Sequence, residues 1–168
     1  MNELPQQIQN WLGQVVVVDE SDVTVDRSEI ENFCAAIQDG NLLYWNDNNG
    51  IEAGIVSPPG MLSAYNRPHT WTPARGDKPV NRPLELHFRV KELLDFPRAV
   101  VAEQTYEFGV PLRVGDRVRA EQSLCEVSDI KSNKLGTGRN WVIDVTYKNQ
   151  HGEIAGVETV TFFGYRRD

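Results

Sequence analysis

Three polar side chains of different acidity close one short segment of this chain. Phe33-Cys-Ala-Ala-Ile-Gln-Asp-Gly-Asn-Leu-Leu-Tyr44 ends in Asp39, Asn41 and Tyr44. A carboxylate at a helix C-terminal end is not stabilised by the helix dipole, so its affinity for a proton is expected to rise. Asn41 suits the satisfaction of loop backbone groups. The Tyr44 phenol donates a hydrogen bond, but with a pKa near 10 it is ionised to only about one part in a thousand at neutral pH. The set is a proton-handling carboxylate beside a hydrogen-bond donor, without the imidazole that works best near neutrality. An ordinary solvated helix-end carboxylate is the alternative for Asp39.

A second stretch, Ser57-Pro-Pro-Gly-Met61, has chemistry of another kind. Ser57 is placed to cap, the prolines suit a first helical turn, and Gly60 lets another group approach the backbone closely. The same residues would also serve as a plain tight turn. The three histidines offer little more. His151 falls in a loop, His69 in a long polar stretch, and His87 near the start of an expected short strand, Leu84–Phe88.

The elements that must position these groups are partly legible. Gln7–Trp11 reads as a short helical lead-in, and Val15–Asp19 and Asp22–Val25 as two extended pieces. Asp26 with Glu29 forms a variant capping box before Ile30, Phe33, Cys34 and Ile37 at helical spacing. That helix is expected to run from about Arg27 and to stop by Gly40, a residue suited to the position after a helix end. Asn46–Gly50 is a turn cluster, Ile51–Ile55 one further helical turn, and Met61–Tyr65 a short apolar helix. Residues 66–83, rich in Pro, Arg, Asn and Gly, form a loop whose length points to function or mobility.

The C-terminal half alternates. Arg98–Phe108, Arg117–Val127, Asn140–Lys148 and Ile154–Tyr165 have strand periodicity. Trp141, Ile143, Val145 and Tyr147 fall on one face of the third, and Asn149-Gln-His-Gly152 joins the last two as a hairpin. Val114-Gly-Asp116 is a turn and Lys131–Gly136 a polar connection. Long antiparallel strands after a helical region make this an α+β chain with helices on one face of the sheet.

At 168 residues the chain is sized for one domain spanning 1–168. Its 17 basic and 24 acidic residues give a formal charge of -7, which argues against a nucleic-acid partner. No run of about 18 apolar residues is present to span a membrane, and Met1-Asn-Glu-Leu-Pro lacks the regions of a signal peptide. Cys34 and Cys125 are too few for a disulfide framework or a zinc site, and Cys34 lies in an apolar stripe, so a reducing cytoplasm is expected. No cluster points to a metal or to a redox cofactor.

The helix with Asp39-Gly-Asn41, the Ser57-Pro-Pro-Gly-Met61 turn, Tyr106-Glu-Phe-Gly-Val-Pro-Leu-Arg-Val-Gly-Asp116 and the final hairpin together resemble the MaoC-like enoyl-CoA hydratases. The likeness is strongest to their N-terminal, fatty-acid-synthase-like dehydratase branch. It implies a hot-dog fold, an antiparallel sheet of about five strands wrapped around a central helix. It implies syn addition of water to an α,β-unsaturated acyl-CoA thioester. Asp39 then matches the catalytic Asp and Tyr44 takes the second catalytic position, while Asn41, the motif's Asn, Gly60, the glycine whose N–H polarises the thioester carbonyl, and Met61 after it are the substrate-binding positions. The family's Pro and His are replaced by Leu42 and Tyr44. In split or duplicated members one half keeps the Asp/His pair and the other shapes the acyl pocket, so Tyr44 implies the degenerate role in a homo- or hetero-oligomer with a MaoC-like chain. The lack of a long central helix fits a tunnel for a bulky acyl group, unless residues 66–83 refill the space. An independent hydratase using Asp39, and a non-catalytic acyl-CoA-binding module, are the alternatives. Arg67, Arg75, Lys78 and Arg82, or Lys131, Lys134 and Arg139, would meet the phosphates of coenzyme A.

Overall fold

Asp26 opens the helix that carries the site residues. In a computed structural model, which describes residues 3–46 and 54–167, its carboxylate accepts from the Ser28 N–H at 2.8 Å. The cap therefore works through Ser28. Helix α2 (Arg27–Ile37) follows α1 (Gln6–Trp11) and strand β1 (Val15–Thr24). It buries Ile30 and Cys34. It ends one residue past Ile37, where Gln38 adopts the left-handed conformation at φ 58°. Gly40 is thus not the closing residue. The N–H groups of Gln38 and Asp39 return to carbonyls of the last turn, which satisfies the helix end.

A short 3₁₀ helix spans Pro59–Tyr65, where an apolar helix over Met61–Tyr65 was expected. The expected strand at Leu84–Phe88 is instead part of α3 (Glu85–Leu93). Leu86 and Val90 lie four apart and are both fully buried, and Glu85 pairs with Arg82 and Arg89 at three and four residues' distance. Those contacts outweigh the brief alternation of Leu84, Leu86 and Phe88.

Strands β2 (Arg98–Phe108), β3 (Arg117–Val127), β4 (Lys131–Asn133), β5 (Gly136–Lys148) and β6 (Ile154–Arg166) complete the sheet with β1. It is antiparallel in the order β1-β3-β5-β6-β2, with the short β4 hairpinned onto β5. The two extended pieces at 15–25 are one strand with irregular register between Glu20 and Thr24, and the polar connection at 131–136 contains β4. Trp141, Ile143, Val145 and Tyr147 are buried on the inner face of β5, as their alternation requires. The Asn149–Gly152 loop closes with Asn149 N–H on the Glu153 carbonyl at 3.0 Å.

Ile30 and Cys34 of α2, Leu86 and Val90 of α3, and the 3₁₀ residues Met61, Leu62 and Tyr65 form one apolar core with the sheet. This is the hot-dog arrangement, with the short helices α2 and α3 packed into one core with the sheet. The Asn46–Gly50 turn lies mostly, and the Ile51–Ile55 helical turn largely, outside the described residues. No described helix is long and apolar enough to cross a membrane.

Candidate functional site

The loop after α2 is built from nested side-chain turns. Asp39 Oδ1 accepts from Asn41 N–H at 2.9 Å, and Asn41 Oδ1 accepts from Leu43 N–H at 3.1 Å. The Trp45 indole N–H donates back to the Asp39 carbonyl at 2.7 Å, and Tyr44 N–H donates to the Asn41 carbonyl at 3.0 Å. Asn41 thus has the loop-ordering role expected from its side chain.

These bonds fold Tyr44 back toward the helix end. Burial raises its phenol above the usual 10, the neighbouring Asp39 and Cys34 push the same way, and a hydrogen bond with Asn41 opposes them. The environment therefore moves Tyr44 further from proton exchange at neutral pH. Cys34 is fully buried, and burial followed by the Asp39 charge raises its thiol, so it is an inert neighbour.

The second segment also meets α2. A Cβ at Gly60 would stand 3.6 Å from Phe33 Cζ, so the turn lies directly on the helix. Gly60 occupies the first turn of the 3₁₀ helix, where N–H groups have no intrahelical acceptor. Ser57 is buried and does not cap; its hydroxyl bonds Tyr65 Oη at 3.0 Å, and Tyr65 donates to Met61 Sδ at 3.4 Å. Burial pushes the Tyr65 phenol up to about 12, and Cys34 adds to that. Cys34 thus bears on both Tyr44 and Tyr65, so both segments lie near the same turn of α2. Ser57 N–H also donates to Leu112 O at 2.8 Å, tying the turn to the Pro111–Asp116 stretch.

None of the three histidines stands in for the missing imidazole. His69 is exposed, and its N–H binds Asp22. His87 stacks on Phe162 at 3.9 Å between ring centroids; burial, then Lys91 and Arg82, lower it to about 4. His151 is exposed in the hairpin. The basic groups divide as well. Arg75 forks onto both oxygens of Asp22 at 2.8 and 2.6 Å. Arg139 is buried against Ser128 O, and Arg82 lies over the Phe88 ring.

Sequence reasoning missed a further polar group on the inner face of the sheet. Glu158 is only 4% exposed and accepts from Tyr147 Oη at 2.6 Å, Tyr106 Oη at 3.0 Å and Gln104 Nε2 at 2.5 Å. The available signal was a glutamate where alternation along β6 calls for an apolar residue, next to Val160 and Phe162.

Residues 10–156 match the family model described as the FAS1-like dehydratase domain region. No curated protein sequence matches the chain. Among solved structures, it is similar to the ChsH1–ChsH2 complex from Mycobacterium tuberculosis, with a TM-score of 0.75 at 19% identity over 97% of this chain and 93% of that one. The (R)-hydratase from A. caviae involved in PHA biosynthesis superposes with a TM-score of 0.55 at 14% identity, over 89% and 95% of the two chains. The HadBC (3R-hydroxyacyl-ACP dehydratase) complex from M. tuberculosis gives 0.55 at 15% identity, over 88% and 95%. The expected likeness to the MaoC-like proteins and the hot-dog fold are both borne out.

Proposed function

The chain belongs to the FAS1-like dehydratase-domain family, and from that premise we propose that it is the degenerate, pocket-shaping subunit of a MaoC-like enoyl-CoA hydratase. The observation that carries this reading is the pairing of Asp39 with Tyr44, a phenol raised by burial and by that same carboxylate. Hydration requires one group to take a proton from water and another to deliver one to the α-carbon. Asp39 is suited to one of these transfers, and Tyr44 is limited to donating a hydrogen bond. Gly60 would offer its N–H to the thioester carbonyl, and Met61 would back the turn that presents it. Asn41 keeps Asp39 and Tyr44 in register.

The partner is a second MaoC-like chain. Strand β2 ends the sheet, so one side of its backbone has no neighbouring strand among the described residues, and Val100, Val101 and Phe108 on it are exposed. An edge of that kind is a template for pairing with another chain. Two of the similar structures are complexes of two named chains, which supports a heteromer; a homo-oligomer is the form expected when the catalytic chain is absent. We place the assembly in the cytoplasm, as a single-domain subunit acting in lipid metabolism on acyl-CoA thioesters without a cofactor.

The test is to assay enoyl-CoA hydration with the chain alone and mixed with a MaoC-like chain that has the intact Asp/His pair. Turnover exceeding that of either chain alone, only in the mixture, is the expected result. Turnover by the lone chain, abolished by Asp39→Ala, would show an independent hydratase. Acyl-CoA binding without any turnover in the mixture would show a binding module.

A further inference from the structure

Between the inner face of the sheet and the 66–84 segment lies a cavity of about 520 Å³. Its floor contains Glu158, Tyr147, Tyr106 and Gln104, and its roof Asn66 and Arg67. The roof is fastened at two points, Arg75 on Asp22 and Asn81 Nδ2 on Asp19 Oδ1 at 2.7 Å. The cavity is therefore covered by a tethered loop but not filled by it.

The floor is costly unless it has a use. Glu158 and Tyr106 are directly opposite on β6 and β2, and Glu158 and Val145 on β6 and β5. That places a carboxylate among apolar core positions, held by three uncharged donors, with Arg67 and Arg82 among the side chains that line the cavity above it. Burial and the Glu158 carboxylate push the Tyr106 phenol up to about 12 and Tyr147 further still. Both therefore keep their protons and donate. Oε1 of Glu158 takes two donors and Oε2 takes one, so an acceptor site on Oε2 is open. In the roof, Asn66 Oδ1 is buried without a partner. Pro68, Val80 and Leu84 supply apolar wall.

We propose that this cavity is a binding site for the neutral, hydroxyl-bearing part of an otherwise apolar ligand, whose O–H donates to Glu158. On the reading that the chain binds acyl-CoA thioesters, on which this rests, the ligand is an acyl group hydroxylated away from the thioester. A carboxylate within hydrogen-bond distance of Glu158 Oε2 would set acceptor against acceptor with no proton between them, and a plain hydrocarbon leaves the open acceptor without a donor.

The experiment compares binding of ω-hydroxydecanoyl-CoA, decanoyl-CoA and decanediol by calorimetry, for the full chain with its partner where one assembles. The hydroxylated thioester is expected to bind about tenfold more tightly than the plain one, the size of one hydrogen bond to a charged acceptor. Glu158→Gln should remove most of that preference. Thr70→Trp, which fills the cavity from an exposed loop position and leaves the core intact, should abolish it. Equal affinity for the two thioesters overturns the site while leaving acyl-CoA binding in place, and so does a preference that survives both variants. Binding of decanediol that depends on Glu158 and Thr70, with no affinity for either thioester, supports the site and removes the acyl-CoA reading. Failure of all three probes overturns both.

Discussion

Tyr44 and Asp39 are coupled: after burial, the carboxylate is what most raises the phenol's hold on its proton, and the bond from Trp45 to the Asp39 carbonyl ties the loop that carries both. On the proposed reading the pair stands where an acid–base couple would, with one member of the wrong acidity. If only that acidity is missing, Tyr44→His should give the lone chain measurable enoyl-CoA hydration. The gain should be about 100-fold over the unsubstituted chain, the lower end for a positioned acid–base group. It should follow the ionisation of an imidazole near 6.5. The check is loss of the conjugated enoyl absorbance as a function of pH, with Tyr44→Phe as the control that gains nothing. No gain from Tyr44→His would place further defects in the site.

The left-handed residue that closes α2 is Gln38, at φ 58°. A side chain there costs about 1 kcal/mol relative to glycine. Gln38→Gly is therefore expected to stabilise the chain by roughly that amount. A Cβ at Gly40 would meet nothing within 4 Å, and its backbone is not left-handed. Gly40→Ala should then be neutral or stabilising by up to about 1 kcal/mol. Urea midpoints for the two variants decide between this closure and one at Gly40, in which Gly40→Ala would be clearly destabilising.

Legibility in the sequence followed how local the determining forces are. The helix start at Asp26, the four long strands and the 149–152 hairpin depend on capping, period-two burial and turn chemistry within a few residues, and all were readable. The Asp39–Asn41–Tyr44 cluster was readable because its members are close in sequence. Helix α3 was not, because Leu86 and Val90 are apolar at both helical and strand spacing over so short a window. What decides is their burial together with the Gln122 side-chain Oε1, which accepts from Leu86 N–H at 3.0 Å, 36 residues away. The Glu158 floor was not legible either, since Tyr106, Tyr147 and Glu158 meet only through the register of three strands.

His87 makes acid stability testable. Its folded pKa is lowered to about 4 by burial, then by Lys91 and Arg82, against about 6.5 in an unfolded chain. Below 6.5 the unfolded chain binds a proton that the folded chain refuses, so stability present above 6.5 is lost as the pH falls toward 4. His87→Phe keeps an aromatic ring against Phe162 and removes the titration. It should flatten the decline between about pH 6.5 and 4.5, while the decline below that, set by salt-bridged carboxylates such as Glu85 and Glu121, persists. Parallel urea-denaturation profiles for the two proteins would contradict the assignment.

The alkaline side tests the Glu158 floor. Tyr106 is raised to about 12 and Tyr147 beyond it, chiefly by burial and then by Glu158. An unfolded tyrosine ionises near 10. Below pH 10 both states hold the protons and the contribution is complete. Above it the unfolded chain loses protons that the folded chain keeps, so stability falls as the pH climbs. Tyr147→Phe removes a donor to a buried carboxylate and should cost about 1–3 kcal/mol at neutral pH. It also removes one proton from the alkaline linkage, worth up to about 1.4 kcal/mol per pH unit. The wild-type and variant stabilities should therefore converge between pH 10 and 11.5, since lysine ionisation is common to both and cancels in the comparison. Denaturant midpoints that stay equally separated across that range would mean that Tyr147 ionises normally and that the floor is open to water.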